Sequence, residues 1–337
     1  MIRATIEVMH ALTALGRYAV KIDPVAIAVP AAALALGRCG GSEPAPVRAA
    51  SRGASAQRTR EVERLVASQP TIEGAGVHLN RALGGRALNV LDPFLLLDEF
   101  QSDDPNDYVA GFPDHPHRGF ETVTYMIHGA MEHKDSVGNR GRLGPGSAQW
   151  MTAGHGIVHS EMPKQESGLM WGFQLWVNLP AKDKMIRPRY QDIRPETIPE
   201  LERDHARIRV VAGKAFDVEG PVLGIAVDPT FLDLALTKGA TLEHPLSPDH
   251  TAFVYVTDGA VRIGDAKREV RKGQLAILTK GDHFSALCDA SSGRLMLIAG
   301  RPLGEPVARR GPFVMNTDEE IDRAYEDYRS GHLTDSI

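Results

Sequence analysis

An all-β fold, two duplicated β-barrels followed by a C-terminal helix, is what this sequence predicts, on three observations. Val123, Tyr125 and Ile127 alternate with Thr122, Thr124 and Met126, and Trp171, Phe173, Leu175 and Val177 alternate with Gly172, Gln174 and Trp176. That period of two is the signature of strands. Glycines recur at short spacing, at 129, 138, 146 and 154 and again at 259, 264, 273 and 281, as turns do between the short strands of a sandwich or barrel. Finally, the two halves share a skeleton. Tyr125 to Gly129 and Tyr255 to Gly259 both span four residues, and Gly146 to Gly154 and Gly273 to Gly281 both span eight. A common spacing of this kind points to an internal repeat.

Taken in order, residues 1–60 stand apart. They are Ala-rich, lack Phe and Trp, and carry eight Lys/Arg against three Asp/Glu. The apolar run Val25 to Leu36 is short and is broken by Pro30. The segment reads as a disordered extension or a start assigned too early, with a targeting leader as the other reading. Residues 61–195 are expected to form the first barrel and 205–305 the second. Ala252–Thr257 and Ala260–Ile263 flank Asp258-Gly259, a dipeptide that predicts a hairpin. In the tail, 306–337, Thr317 with Glu320 forms a capping box, Ile321, Ala324, Tyr325 and Tyr328 share a helical face, and Gly331 can end the helix. That helix is expected to lie against a barrel.

The bulk composition narrows the function classes. Over 337 residues, 42% hydrophobic residues suffice for two cores, and the net charge of −5 comes with no run of five Lys/Arg, so no direct nucleic-acid contact is expected. No stretch of 18 apolar residues suggests a membrane-spanning helix. Cys39 and Cys288 lie far apart in unlike contexts, so a disulfide framework is not expected and a reducing, cytoplasmic location is the default.

Two tripeptides carry the chemistry: His115-Pro116-His117 and His159-Ser160-Glu161. Residues i and i+2 of a strand face the same way, so each segment can aim two ligands into one cavity. Three imidazoles and a carboxylate suit a divalent first-row transition metal better than calcium or magnesium. The second half has no such set. The same offsets from Tyr255 and Gly281 give Pro245, Ser247, Ala286 and Cys288, and His244, His250 and His283 do not restore the paired spacing. One metal site per chain is therefore expected. Gln174 and Trp176 either line the cavity or simply fill space. His155 is read as a pocket-entrance or turn-stabilising residue, His128 and His133 as surface residues of a hairpin, and Cys288 as an inert buried thiol.

The run His115-Pro116-His117-Arg118-Gly119-Phe120-Glu121-Thr122-Val123 resembles the signature of the pirin family. So do Gln149 to Gly154, His159 to Pro163, Gln174 to Leu179 and Gly311 to Thr317. The resemblance covers about residues 60 to 333. It implies a bicupin with mononuclear iron, Fe(II), in the first barrel and no metal in the second, held by His115, His117, His159 and Glu161. Other divalent transition metals remain open. Glu121, a ligand position in cupins generally, is not one in pirins. The resemblance further implies a quercetin 2,3-dioxygenase-like activity on a flavonol substrate, with Glu161 as catalytic general base. The alternative is a non-enzymatic, redox-sensing regulator of the transcriptional co-regulator type, acting through a protein partner. A monomer is expected.

Overall fold

The structure, a computed structural model, describes residues 57–335. The leader up to residue 56, with the apolar run and Cys39, lies outside the described residues. Among those described, no helix is long and apolar enough to cross a membrane.

The described chain starts in a strand, β1 (Val62–Ala67). In the first half follow β2 (Phe94–Ser102), β3 (Phe112–His117), β4 (Phe120–His128), β5 (Met131–Asp135), β6 (Ala148–Thr152), β7 (Ile157–Pro163) and β8 (Met170–Asn178). In the second half follow β9 (Thr230–Thr237), β10 (Thr241–Pro245), β11 (Thr251–Ile263), β12 (Gln274–Leu278), β13 (His283–Leu287) and β14 (Ser292–Gly300). The repeat read from the sequence is a repeat of topology. One sheet runs β6-β4-β8-β2 and the other β12-β11-β14-β9, with β3 paired to β7 in the first half and β10 to β13 in the second. Tyr125 and Tyr255 sit on the matching strands β4 and β11.

The alternation on β4 and β8 does not separate core from solvent, because both faces are buried. Val123, Tyr125, Phe173 and Leu175 join a core that also holds Phe253, Tyr255 and Met296 of the second half, so it lies between the barrels. The opposite face looks into the first barrel's lumen. The two lumens are filled differently. Inside the second barrel Leu242, Val254, Val261, Phe284 and Ala286 pack in one continuous core. Inside the first a smaller cluster around Leu79, Phe100, Met126 and Met131 leaves room beside it.

Asp258-Gly259 does not form the expected hairpin. β11 runs through it, with Gly259 at φ +64° and a register shift between Val256 and Asp258. Residues before it pair with β12 and β14; those after it pair with Arg268–Arg271 and β13. The glycine is a bulge that carries one strand around a corner from one sheet to the other.

The two ends of the described chain cross over. β1 pairs with β12 of the second barrel, and Arg60, fully buried, donates to the carbonyls of Ser247 and His250 at 2.7 and 2.9 Å. The tail returns to the first barrel as a strap, β15 (Ala308–Arg310) and β16 (Phe313–Met315). Phe313 bridges to Arg118, and Gly119, at φ +86°, has no room for a Cβ against the Val314 carbonyl. The expected helix follows as α1 (Asp318–Ser330), with the Thr317–Glu320 capping box, Ile321 and Ala324 buried, and Gly331 left-handed at its end. Arg118 ties it to the barrel through Asp327 at 2.7 Å.

Candidate metal centre

β3 and β7 pair antiparallel with His115 opposite His159 and His117 opposite Ile157. Between His159 and Glu161 the pairing slips by one, and the extra residue falls on β3. β7 itself stays regular against β5, with His159 opposite Asp135 and Glu161 opposite His133. The i, i+2 geometry expected of both tripeptides therefore holds. The His115, His117 and His159 rings lie with centroids 4.4 to 5.0 Å apart, and one ligand nitrogen from each falls within 4.8 Å of the others. Glu161 is not a member of that cluster. It lies in the wall of the same cavity, two residues along β7.

Hydrogen bonds fix which nitrogens are free. His115 Nδ1 is 2.8 Å from the Pro113 carbonyl and His117 Nδ1 is 3.3 Å from the Pro312 carbonyl. A carbonyl only accepts, so both Nδ1 atoms carry the proton and both Nε2 atoms present bare lone pairs. Those lone pairs face each other at 3.1 Å, which repels unless a cation lies between them. Two cis ligands about 2.1 Å from one ion are about 3.0 Å apart. His159 is buried, and neither of its ring nitrogens has a partner, a costly state in a dry site unless something else binds them. Burial, and then the neighbouring imidazoles, hold His117 and His159 well below the ordinary histidine pKa. Both are neutral at pH 7, as metal ligation requires. The residues present fit a transition-metal ion.

The carboxylate is oriented by two neighbours. Gln174 Nε2 donates to Glu161 Oε2 at 3.0 Å, and the Thr124 hydroxyl lies 2.8 Å from Glu161 Oε1 and 2.7 Å from Gln174 Oε1. Thr124 and Gln174 are register partners on β4 and β8. The sequence offered Gln174 as a lumen candidate but gave no signal for Thr124, whose role depends on that register. Trp176 also faces the lumen, edge-on to His117 with centroids 5.3 Å apart. Glu121 points elsewhere: Trp150 Nε1 and Thr152 Oγ1 donate to its carboxylate at 3.0 and 2.6 Å on the far side of β4.

His133 is not the surface residue expected. It is 2% exposed, stacked on Tyr190 at 5.3 Å, with Asp192 3.6 Å away. Its ring is enclosed between Tyr190 and Gly141, where an added Cβ would run into it. His128 is exposed, as expected. His155 braces the turn: its N–H donates to the Ile186 carbonyl at 2.8 Å and its own carbonyl accepts from Arg118. Cys288 is buried, and burial raises its pKa.

Among the described residues the second barrel brings no comparable group of ligands together. Ala286 sits opposite Leu242 on β10, three residues from the position that counting back from Tyr255 gives, because the connection from β10 to β11 is longer than that from β3 to β4. The inward positions there are Leu242, His244, Phe284 and Ala286, all buried.

The cavity of the first barrel measures about 960 Å3. Phe100, Phe112, Leu79 and Trp176 supply its apolar wall, and the strap closes one side with Val307, Arg309 and Pro312.

Comparison with known proteins bears on the same region. The pirin family profile matches residues 76–177, and that of the pirin C-terminal cupin domain matches residues 231–334. A pirin-like protein of Caulobacter vibrioides is 48% identical over 278 residues, covering 81% of this chain and 99% of the relative. Human pirin is 43% identical over 277 residues, covering 81% and 93%. A crystal structure of a quercetin 2,3-dioxygenase from Acinetobacter baumannii superposes with a TM-score of 0.76 at 34% identity, covering 82% of this chain and 99% of that one.

Proposed function

The chain belongs to the pirin family, and on that premise we propose that it is an iron-dependent dioxygenase that opens the ring of quercetin-like flavonols. The observation that carries this reading is the set of facing, proton-free imidazole nitrogens beside an oriented carboxylate, opening into a cavity large enough for a polycyclic ligand. At about 960 Å3 it lies at the upper end of small-molecule sites. That room favours a substrate over a purely regulatory role. The structural relative named as a quercetin 2,3-dioxygenase supports the same class of ligand.

In this proposal His115, His117, His159 and Glu161 hold the metal. Ferrous iron there would supply Lewis acidity and one-electron chemistry toward dioxygen. The chain's own residues do the rest. The Pro113 and Pro312 carbonyls fix two imidazoles in the Nδ1–H form. Phe100, Phe112 and Trp176 flank the flavonol rings and exclude water. Glu161 accepts the proton of the substrate's 3-hydroxyl, and Gln174 and Thr124 hold the carboxylate in line for it.

The test has two parts. Metal content of freshly purified protein should be near one equivalent, and H159A should retain less than a tenth of it. Aerobic incubation of iron-loaded protein with quercetin should consume the flavonol and release carbon monoxide, with E161Q slower by about 100-fold or more, the usual contribution of a general base. Turnover no faster than in E161Q would refute the dioxygenase reading.

A further inference from the structure

The cavity wall holds two guanidiniums, and they are not equivalent. Arg81 is committed: Nε and Nη2 bind both oxygens of Asp98 at 2.8 and 2.7 Å, and Nη1 meets Glu73 at 2.9 Å. Arg309 donates a single hydrogen bond, to the Leu95 carbonyl at 2.9 Å, and among the described residues no carboxylate lies within 4.0 Å of it. A guanidinium has five N–H donors, so most of its hydrogen-bonding capacity is unspent. The remaining acids of the wall are engaged or remote: Glu161 is held by Thr124 and Gln174, and Asp114 stands exposed at the rim. Burial and the Arg81 charge act against the charged form of Arg309, while Asp98 and Glu73 favour it from beyond contact distance. Among the described residues it is a cavity-lining cation with no carboxylate in direct contact.

Its position relative to the imidazoles sets what that counter-ion can be attached to. The guanidinium carbon lies 4.7 Å over the Trp176 ring, and Trp176 is edge-on to His117 at 5.3 Å. By these two distances the cation lies no more than about 10 Å from the His117 ring, within reach of an aromatic ring system that carries a substituent at each end. Trp176, Phe100 and Phe112 give the same cavity aromatic walls that suit such rings.

We infer that Arg309 is the specificity-determining residue of this cavity, and that the preferred substrate is an aromatic acid with a carboxylate on Arg309 and a hydroxyl oxygen turned to the imidazoles. The inference rests on the oxygenase reading of the site and adds to it a preference, among hydroxyaromatic ligands, for those that carry a carboxylate. Arg309 recognises; it takes no part in bond breaking. A carboxylate offers the planar, charge-assisted, two-point contact that a guanidinium favours.

Titration calorimetry on the metal-loaded protein tests this with 6-hydroxy-2-naphthoate and its methyl ester, probes of the same shape that differ by one charge. The acid should bind about tenfold or more tightly than the ester, which corresponds to about 1.4 kcal/mol. R309Q should bring the two affinities together, and R309K should keep a reduced preference for the acid. Because the readout is a ratio within one protein, a general loss of packing in a variant cancels. Equal affinities in the wild-type protein, or an acid preference that survives in R309Q because it comes from the metal, would overturn the inference. Quercetin turnover without any acid preference overturns this inference alone. An acid preference lost in R309Q, with no quercetin turnover, upholds the anion site and overturns the dioxygenase reading alone.

Discussion

At the scale of single residues, His244 stands in the second barrel where His117 stands in the first. It points inward on β10, 2% exposed, against Phe216 with ring centroids 5.4 Å apart, and its Nδ1 has no partner. Burial, and then the nearby His283, lower its pKa to about 4. The fold therefore favours the neutral ring. Unfolded, the same side chain titrates near 6.5. Between pH 6.5 and 4 the unfolded chain binds more protons than the folded one, so this contribution is complete above pH 6.5 and is lost as pH falls through that window. At 1.36 kcal/mol per unit the loss reaches roughly 2 to 3 kcal/mol near pH 4.5. The unfolding free energy from urea titration should fall by that much more between pH 7 and 4.5 in the wild-type protein than in H244L, and equal falls would sink the account. The contrast with the first barrel explains what could be read from sequence. His115, His117, His159 and Glu161 stood out because a two-residue spacing on a strand is a geometric statement in itself. Thr124 and Arg309 did not, because one needs the register of β4 against β8 and the other needs a strap that returns from the far end of the chain.

Among the elements, α1 was the most legible and the Asp258-Gly259 corner the least. A capping box, an apolar stripe and a terminal glycine are local signals, and each does locally what it promised. Asp-Gly is local too, but whether it turns a chain back or bends it onward depends on which strands wait on either side, and here two sheets do. The helix matters to the site because it anchors the strap. The strap's Pro312 carbonyl orients His117, and Arg118, one residue beyond His117, reaches Asp327 on α1. T317A removes the side-chain acceptor of the Glu320 N–H and should cost about 1 kcal/mol in denaturant unfolding. Metal content should not change, because β16 still pairs with β15 and bridges to Arg118 without the cap. An unchanged midpoint would mean that the cap contributes nothing to global stability, and lost metal would mean that the strap depends on it.

Across the whole molecule, the matched tyrosines that revealed the repeat also join its halves. Tyr125 of the first barrel donates to Asp233 of the second at 2.7 Å, and Tyr255 of the second donates to Glu99 of the first at 2.6 Å. Asp233 and Glu99 lie on β9 and β2, themselves equivalent strands, so each barrel offers the other the same bond from the same place. The sequence showed the tyrosines but not this exchange, which exists only once the two sheets face each other across a shared core. The bonds differ in what stands behind them. Asp233 keeps Arg294 Nε and Nη2 at 2.9 and 2.6 Å if Tyr125 is removed, and Arg209, which donates to the Tyr125 hydroxyl at 2.6 Å, keeps the Gly146 carbonyl at 2.9 Å. Glu99, 2% exposed, keeps only Trp171 Nε1 at 2.9 Å if Tyr255 is removed, and one of its oxygens is stranded. Leaving a buried acceptor unsatisfied costs about 1 to 3 kcal/mol, more than losing one bond of several. Y255F should therefore destabilise the protein by about 2 kcal/mol and Y125F by about 1. Both should unfold in one transition, since the core between the barrels belongs to both. Urea unfolding followed by tryptophan fluorescence decides it: the reverse order of costs, or two separate transitions, would show that the barrels are not coupled through these bonds.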